Sequence, residues 1–85
     1  MEYMTNEKAS RLLKEGKAKK ISRKGWLRED GKIRITISIQ NPDENSFMTE
    51  SYFYMEKLED NNKFKRFPIF LSAESLFTDD WFVVF

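Results

Sequence analysis

The segment ISRKGW, residues 21–26, sets two cations, a glycine and an indole side by side. A guanidinium such as that of Arg23 binds a phosphate through two parallel hydrogen bonds, and Lys24 adds a second positive charge. Gly25 allows a phosphate to approach the backbone amides, and the ring of Trp26 offers a surface on which a base stacks. The segment therefore predicts one wall of a nucleotide site. The open alternative is that Trp26 is a core anchor at the end of a strand.

The composition removes most catalytic uses of such a site. The chain has no cysteine and no histidine, so a disulfide, a thiolate metal site, a cysteine nucleophile and a serine–histidine triad are excluded. The commonest general base is missing, and a zinc ion would find only carboxylate ligands. Asp79 and Asp80 would point to opposite sides of an extended segment, which disfavours an acid–base pair. We therefore predict a protein that is not an enzyme and that holds no metal and no cofactor.

Charge is distributed unevenly along the chain. Residues 1–40 carry eleven Lys and Arg against five Asp and Glu, a net of +6, whereas residues 41–85 carry four against nine, a net of −5. The basic half attracts phosphate, but the acidic half disfavours a general nucleic-acid binder with a broad positive face. A binder of single-stranded nucleic acid that uses Trp26, Tyr52 and Tyr54 is therefore a disfavoured interpretation.

The length and the aromatic content constrain the core. The 85 residues predict a single domain over 1–85, near the lower limit of the length at which a chain folds without disulfides, a metal ion or oligomerisation. Eight Phe, three Tyr and two Trp exceed what a small core requires, so a surplus would serve an interface between copies of the chain. No apolar run approaches the length of a membrane span, and the polar start MEYMTNEKAS is unlike a signal peptide. We therefore expect no membrane partner.

Hydrophobic periodicity predicts a helix that begins the chain. Thr5 or Asn6 can cap it, and Gly16 can end it. Met4 can pack back onto the first turn of the helix. One face carries apolar residues at helical spacing, namely Ala9, Leu12 and Leu13. Because the other faces are charged, this helix is expected to lie on an apolar surface.

The rest of the chain predicts antiparallel strands, over 18–24, 33–39, 51–58, 64–67 and 81–85. Turns are predicted over 28–32, 41–46 and 59–63. The clearest strand is 33–39, whose isoleucines alternate with the residues expected to be solvated, Arg34, Thr36, Ser38 and Gln40. Aromatic residues on both faces of 51–58 suggest a central strand or an oligomer face, and Ser72 can cap a helical turn, AESLF. The predicted class is α+β, a small antiparallel β-sheet with the N-terminal helix packed on it and a short helical turn before the last strand.

Three segments, ASRLLKEGK, ISRKGW and SAESLFTDDWFVV, together resemble the second Thoeris anti-defence family of phage proteins, Tad type two. In that family a helix of the type ALxxLKxGK leads into xxRxGW, and the chain closes on residues similar to DLLAEDWEVV. The resemblance spans nearly the whole chain. The matching residues are Lys14, Gly16, Lys17, Arg23, Gly25, Trp26, Leu76, Asp80, Trp81 and Val83.

The resemblance implies a signal sponge, a protein that binds an immune messenger without cleaving it. The messenger is a glyco-cyclic ADP-ribose isomer made by a bacterial TIR-domain protein, and some relatives hold cyclic oligonucleotides at a separate site. The family forms homotetramers with pockets at subunit interfaces. The resemblance also implies action in the host bacterial cytoplasm. Trp26 would then stack on the base, Arg23 and Lys24 would hold phosphates, and Asp80 would accept from ribose hydroxyls. Further pocket residues are Tyr52, Tyr54, Phe70 and Ser72.

Two alternatives stay open beside this interpretation. Asp80 can instead cap the turn before the last strand. The stretch FPIFLS stands where family members often have a PW pair, so Ile69 or Phe70 occupies the position of that aromatic platform. A second class of function is a protein-binding inhibitor of a host defence protein that acts through an aromatic interface.

Overall fold

A five-stranded antiparallel sheet, two helices and one 3-10 turn are formed by the described residues. The computed structural model describes residues 2–42 and 49–85 of the chain. The elements are α1 (Asn6–Lys14), β1 (Lys20–Arg23), the 3-10 turn (Lys24–Trp26), β2 (Ile35–Gln40), β3 (Tyr52–Leu58), β4 (Phe64–Pro68), α2 (Ala73–Phe77) and β5 (Trp81–Val84). The strand order is β4-β3-β2-β1-β5. The predicted α+β class is confirmed, whereas residues 43–46 of the predicted loop lie outside the described residues.

The helix α1 begins and ends where local signals predicted. The Thr5 hydroxyl accepts a hydrogen bond from the Lys8 amide at 3.2 Å, which satisfies one of the free amides of the first turn. Gly16 adopts a left-handed φ of 77°, and the Lys17 amide donates to the Leu12 carbonyl at 3.0 Å. This is a Schellman ending, and it favours glycine because a side chain is strained at that φ. In the part of the chain that is described, no helix is long and apolar enough to cross a membrane.

The core lies between α1 and one face of the sheet. Register aligns Ile21 of β1 with Ile37 of β2, and Ile37 with Met55 of β3, so these three side chains share the face that α1 covers. The described residues buried in this core are Met4, Ala9, Leu13, Ile21, Ile37, Met55 and Trp81. Their burial supplies most of the hydrophobic free energy that holds helix and sheet together.

The prediction that one face of 33–39 is solvated was wrong for Thr36 and Ser38, which are 3% and 5% exposed. The reason is that β2 is the middle strand, so long side chains from both neighbours extend over its second face. Glu56 of β3 accepts from the Ser38 hydroxyl at 3.4 Å and lies 3.5 Å from the Lys20 ammonium of β1. A polar residue on a central strand is thus covered by a neighbouring ion pair rather than by water.

The first two strands are shorter than predicted. The chain leaves β1 after Arg23, because residues 24–26 form a 3-10 turn in which the Leu27 amide donates to the Lys24 carbonyl at 3.1 Å. The second strand begins at Ile35, and Ile33 forms only a single bridge with Leu27. As a result Trp26 stands on a turn at the end of the sheet rather than within a strand.

Candidate functional site

Arg23 is the last residue of β1 and lies at a corner that β1 forms with β5 and α2. Arg23 pairs in register with Trp81 and lies two residues after the buried Ile21, so its side chain extends along the helix-covered face of the sheet. We call the group Arg23, Gly25, Trp26, Ser75, Asp80 and Trp81 the tryptophan corner. The chain positions it by ending β1 in a tight turn and by starting β5 directly after Asp80.

The guanidinium of Arg23 is held inside this corner. Its Nε lies 3.2 Å from Asp80 Oδ1 and its Nη2 lies 3.3 Å from Oδ2, which makes a bidentate pair. Its Nη1 donates to the Ser75 hydroxyl at 2.8 Å. These contacts use three of the five N–H donors of an arginine, which leaves two within the described structure. The side chains are mostly buried, with 13% of Arg23 and 23% of Asp80 exposed.

The carboxyl of Asp80 is ionised more easily than an ordinary aspartate. Burial by itself raises its pKa, but the hydrogen bond and the charge of Arg23 outweigh burial, helped by the Thr78 side chain and the Gly25 amide. The net effect holds the pKa of Asp80 below its usual value of 3.8. At neutral pH the corner therefore contains a charged pair whose two partners compensate each other.

Gly25 lies against the Arg23 side chain. A Cβ at this position would stand 3.3 Å from Arg23 Nη2 and 3.4 Å from Cζ, closer than ordinary van der Waals contact. The glycine thus leaves room for the guanidinium, and the Nη2 atom nearest to it is the one that pairs with Asp80 Oδ2. The approach of a phosphate to Gly25 stays a prediction; in the structure the group nearest to this glycine is the Arg23 side chain.

Trp26 packs partly into the core and stays partly accessible. Its ring meets Trp81 edge-on, with centroids 5.0 Å apart and planes at 82°, and it packs against the core while staying half-buried. Trp81 is fully buried, as predicted, and its Nε1 donates to the Ser75 carbonyl at 2.8 Å. The neighbouring Lys24 is exposed. The contact with Trp81 therefore holds the Trp26 ring against the core, and the exposed Lys24 precedes it by two residues.

Ser75 is a residue that sequence reasoning missed. Ser72 caps α2, since its hydroxyl accepts from the Ser75 amide at 3.1 Å, and it lies 3.0 Å from the Ser75 hydroxyl. Ser75 is 6% exposed, and its hydroxyl also accepts the hydrogen bond from Arg23 Nη1. Ser72 therefore touches the tryptophan corner through Ser75. The spacing of two serines across a predicted helix start was the only signal in the sequence.

The remaining predicted site residues lie elsewhere in one chain. Phe70 is 85% exposed, and its amide is 3.2 Å from Met55 Sδ. Tyr52 and Tyr54 lie on the opposite face of the sheet from Arg23, because their neighbours Phe53 and Met55 pack into the core on the face that α1 covers. The Tyr54 ring packs under the Arg66 guanidinium at 3.8 Å, in a groove of about 330 Å³. Within one chain the structure does not bring these tyrosines to the tryptophan corner.

Comparison with known proteins adds one finding. The family model described as Tad2-like, the Thoeris anti-defense 2-like domain, matches residues 4–84. The match extends over all three segments that carried the resemblance and over the whole tryptophan corner, and it confirms the predicted family. Among curated proteins, no match was found.

Proposed function

The chain belongs to the Thoeris anti-defence 2-like family, and from this premise we propose that it opposes Thoeris defence by binding and sequestering a nucleotide messenger. The messenger would be a cyclic ADP-ribose isomer made by a TIR-domain protein, held intact in the host bacterial cytoplasm. Sequestration requires tight binding and no chemistry. A chain without histidine or cysteine is adequate for that task.

The observation that carries this proposal is the half-buried ring of Trp26, two residues after the exposed Lys24. The contact with Trp81 holds the ring, so stacking on a base costs little further conformational entropy. Lys24 and the two remaining donors of Arg23 supply positive charge for phosphates. In this arrangement Asp80 is a positioning residue, because its carboxylate orients the guanidinium of Arg23 and lowers the cost of burying it.

We further propose that a second copy of the chain completes the site. The segment 69–77, which touches the tryptophan corner through Ser72 and Ser75, carries large exposed apolar side chains: Ile69, Phe70, Leu76 and Phe77. Phe70 and Phe77 are 85% and 82% exposed, which is costly unless a partner covers them. In a homotetramer, a neighbouring subunit would then bring its own aromatic residues, such as Tyr52 and Tyr54, towards Trp26.

The test is a binding titration with glyco-cyclic ADP-ribose isomers and cyclic dinucleotides by calorimetry. Trp26→Ala should weaken messenger binding by about 5- to 150-fold, the equivalent of one lost base stack, while the variant stays folded and oligomeric. Lys24→Ala should weaken binding and reduce its salt dependence. Lys65→Ala is the matched control, because Lys65 is an exposed lysine on β4 at the far edge of the sheet.

The fate of the ligand separates sequestration from catalysis. After heat denaturation of the complex, mass spectrometry of the supernatant should recover the messenger unchanged. A converted product would make the protein an enzyme. If Trp26→Ala unfolds the protein, the core-anchor interpretation of Trp26 is the correct one, and Trp26→Phe then tests the stacking role in a folded chain.

A second candidate function is favoured by the same exposed aromatic residues. A protein-binding inhibitor would use Phe70 and Phe77 against a host defence protein rather than against another copy of the chain. Analytical ultracentrifugation distinguishes the two. A monomer that no nucleotide stabilises supports the inhibitor, whereas a tetramer that Phe77→Ser dissociates supports the shared nucleotide site.

A further inference from the structure

A second groove lies on the sheet face opposite α1, away from the tryptophan corner. Because Ile21 and Ile37 face α1, the adjacent Lys20 and Thr36 face the other side of the sheet. The groove above them has a volume of about 450 Å³, within the range of small-molecule sites. Its walls are mainly apolar and come from four parts of the chain, with Ile33, Leu58, Phe64, Val84 and Phe85 as their apolar members.

Three lysines stand around this groove, and no Asp or Glu is among its lining residues. Lys20 is partly compensated, since its Nζ lies 3.5 Å from a Glu56 carboxylate oxygen and 5.0 Å above the Phe64 ring. Lys32 contacts only a neutral acceptor in the described structure, the Asn62 side chain at 3.5 Å. Lys19 forms no ion pair with any described carboxylate. Two positive charges at the rim are therefore available to an anion.

We propose that this groove binds a small organic carboxylate with an apolar body, independently of the nucleotide messenger. The body lies against Phe64 and Val84, while the carboxylate accepts hydrogen bonds from the Lys19 and Lys32 ammonium groups at the rim. The apolar walls offer few partners for ribose hydroxyls, which is why a nucleotide does not fit the chemistry of this groove.

The experiment compares three probes by calorimetry on the full chain. Decanoate carries both features, acetate carries only the charge, and decanol carries only the apolar body. We expect decanoate to bind at least roughly tenfold more tightly than either of the others, because the walls and the rim act together. If decanoate does not bind, or if acetate or decanol binds equally well, the proposal is overturned.

Variants locate the binding. Replacing both Lys19 and Lys32 by Glu should weaken decanoate binding roughly tenfold or more through charge repulsion, and it should leave messenger binding unchanged. Replacing Lys14 and Lys65 by Glu makes the same change in net charge at exposed positions outside the groove, and should leave decanoate binding unchanged. Equal binding by the two double variants refutes the groove as the site.

Discussion

Replacing Asp80 by Asn tests whether the ion pair with Arg23 organises the tryptophan corner. The amide retains one acceptor oxygen but turns an NH2 group towards a guanidinium donor, so the bidentate contact at 3.2 and 3.3 Å is lost. Removing one partner of a fully buried pair costs about 3–5 kcal/mol, and an exposed pair is worth about 0–1 kcal/mol. With 13% and 23% of the two side chains exposed, we expect the variant to lose about 2 kcal/mol of unfolding free energy.

The assay is urea unfolding followed by circular dichroism, with a thermal melt beside it. For a domain of this length, a loss of about 2 kcal/mol lowers Tm by about 8–16 °C. Glu7→Gln is the matched control, because Glu7 pairs with Arg11 at 3.0 Å while the side chains are 82% and 67% exposed. That change should cost no more than about 0.5 kcal/mol.

A double-mutant cycle separates the pair from the two single losses. The cycle combines Asp80→Asn with Arg23→Met, which removes the charge but retains most of the side-chain length. We expect a coupling free energy of at least about 1 kcal/mol between the two positions. If the coupling is below about 0.3 kcal/mol, or if Asp80→Asn is as mild as Glu7→Gln, the two side chains do not stabilise each other and the reasoning fails.

Three further predictions concern the same corner. The pKa of Asp80 in the folded state lies below the unfolded value of 3.8, so the unfolded state binds the proton first as the pH falls. In urea titrations between about pH 5 and pH 3, the unaltered chain should therefore lose more stability than Asp80→Asn. Parallel losses in the two proteins would contradict this. Trp81→Ala should lower the free energy of unfolding by about 3–5 kcal/mol and leave little folded protein by circular dichroism, since the ring is fully buried. A Tm close to that of the unaltered chain would contradict the assignment of Trp81 to the core. Gly25→Ala places a methyl group 3.3 Å from Arg23 Nη2. We therefore expect weaker messenger binding in calorimetry, with Tm lowered by only a few degrees. Unchanged binding would show that the guanidinium does not need a glycine at this position.

The tryptophan corner changes how the Arg-Lys-Gly-Trp segment is understood. Taken alone, the segment offers two cations and a stacking ring to a ligand. In the fold Arg23 is first of all the partner of Asp80 and Ser75, which together use three of its five N–H donors. Lys24 and Trp26 are the residues of the segment with the most accessible chemistry, and the titration of messenger into Trp26→Ala and Lys24→Ala tests them directly.

Local signals in the sequence determined the helices, the strands and the fully buried Trp81. Caps such as Thr5 and Gly16 act on the backbone of their own neighbours, and apolar periodicity marks which face of an element is buried. Short motifs at both ends of the chain also identified the family. Each of these features depends on residues that are close together in the sequence, so no tertiary contact was needed to predict them.

Only the tertiary structure decided which side chains meet. Arg23 is separated from Ser75 by 52 residues and from Asp80 by 57, and nothing local indicates that β1 and β5 pair in a register that joins them. The burial of Thr36 depends in the same way on β2 being the middle strand, which alternation alone does not specify. Alternation assigns a side chain to a face, whereas strand order and register determine what covers that face. For that reason the sequence predicted a nucleotide-binding protein with Trp26 at its centre, and the fold showed that Arg23 is held by Asp80.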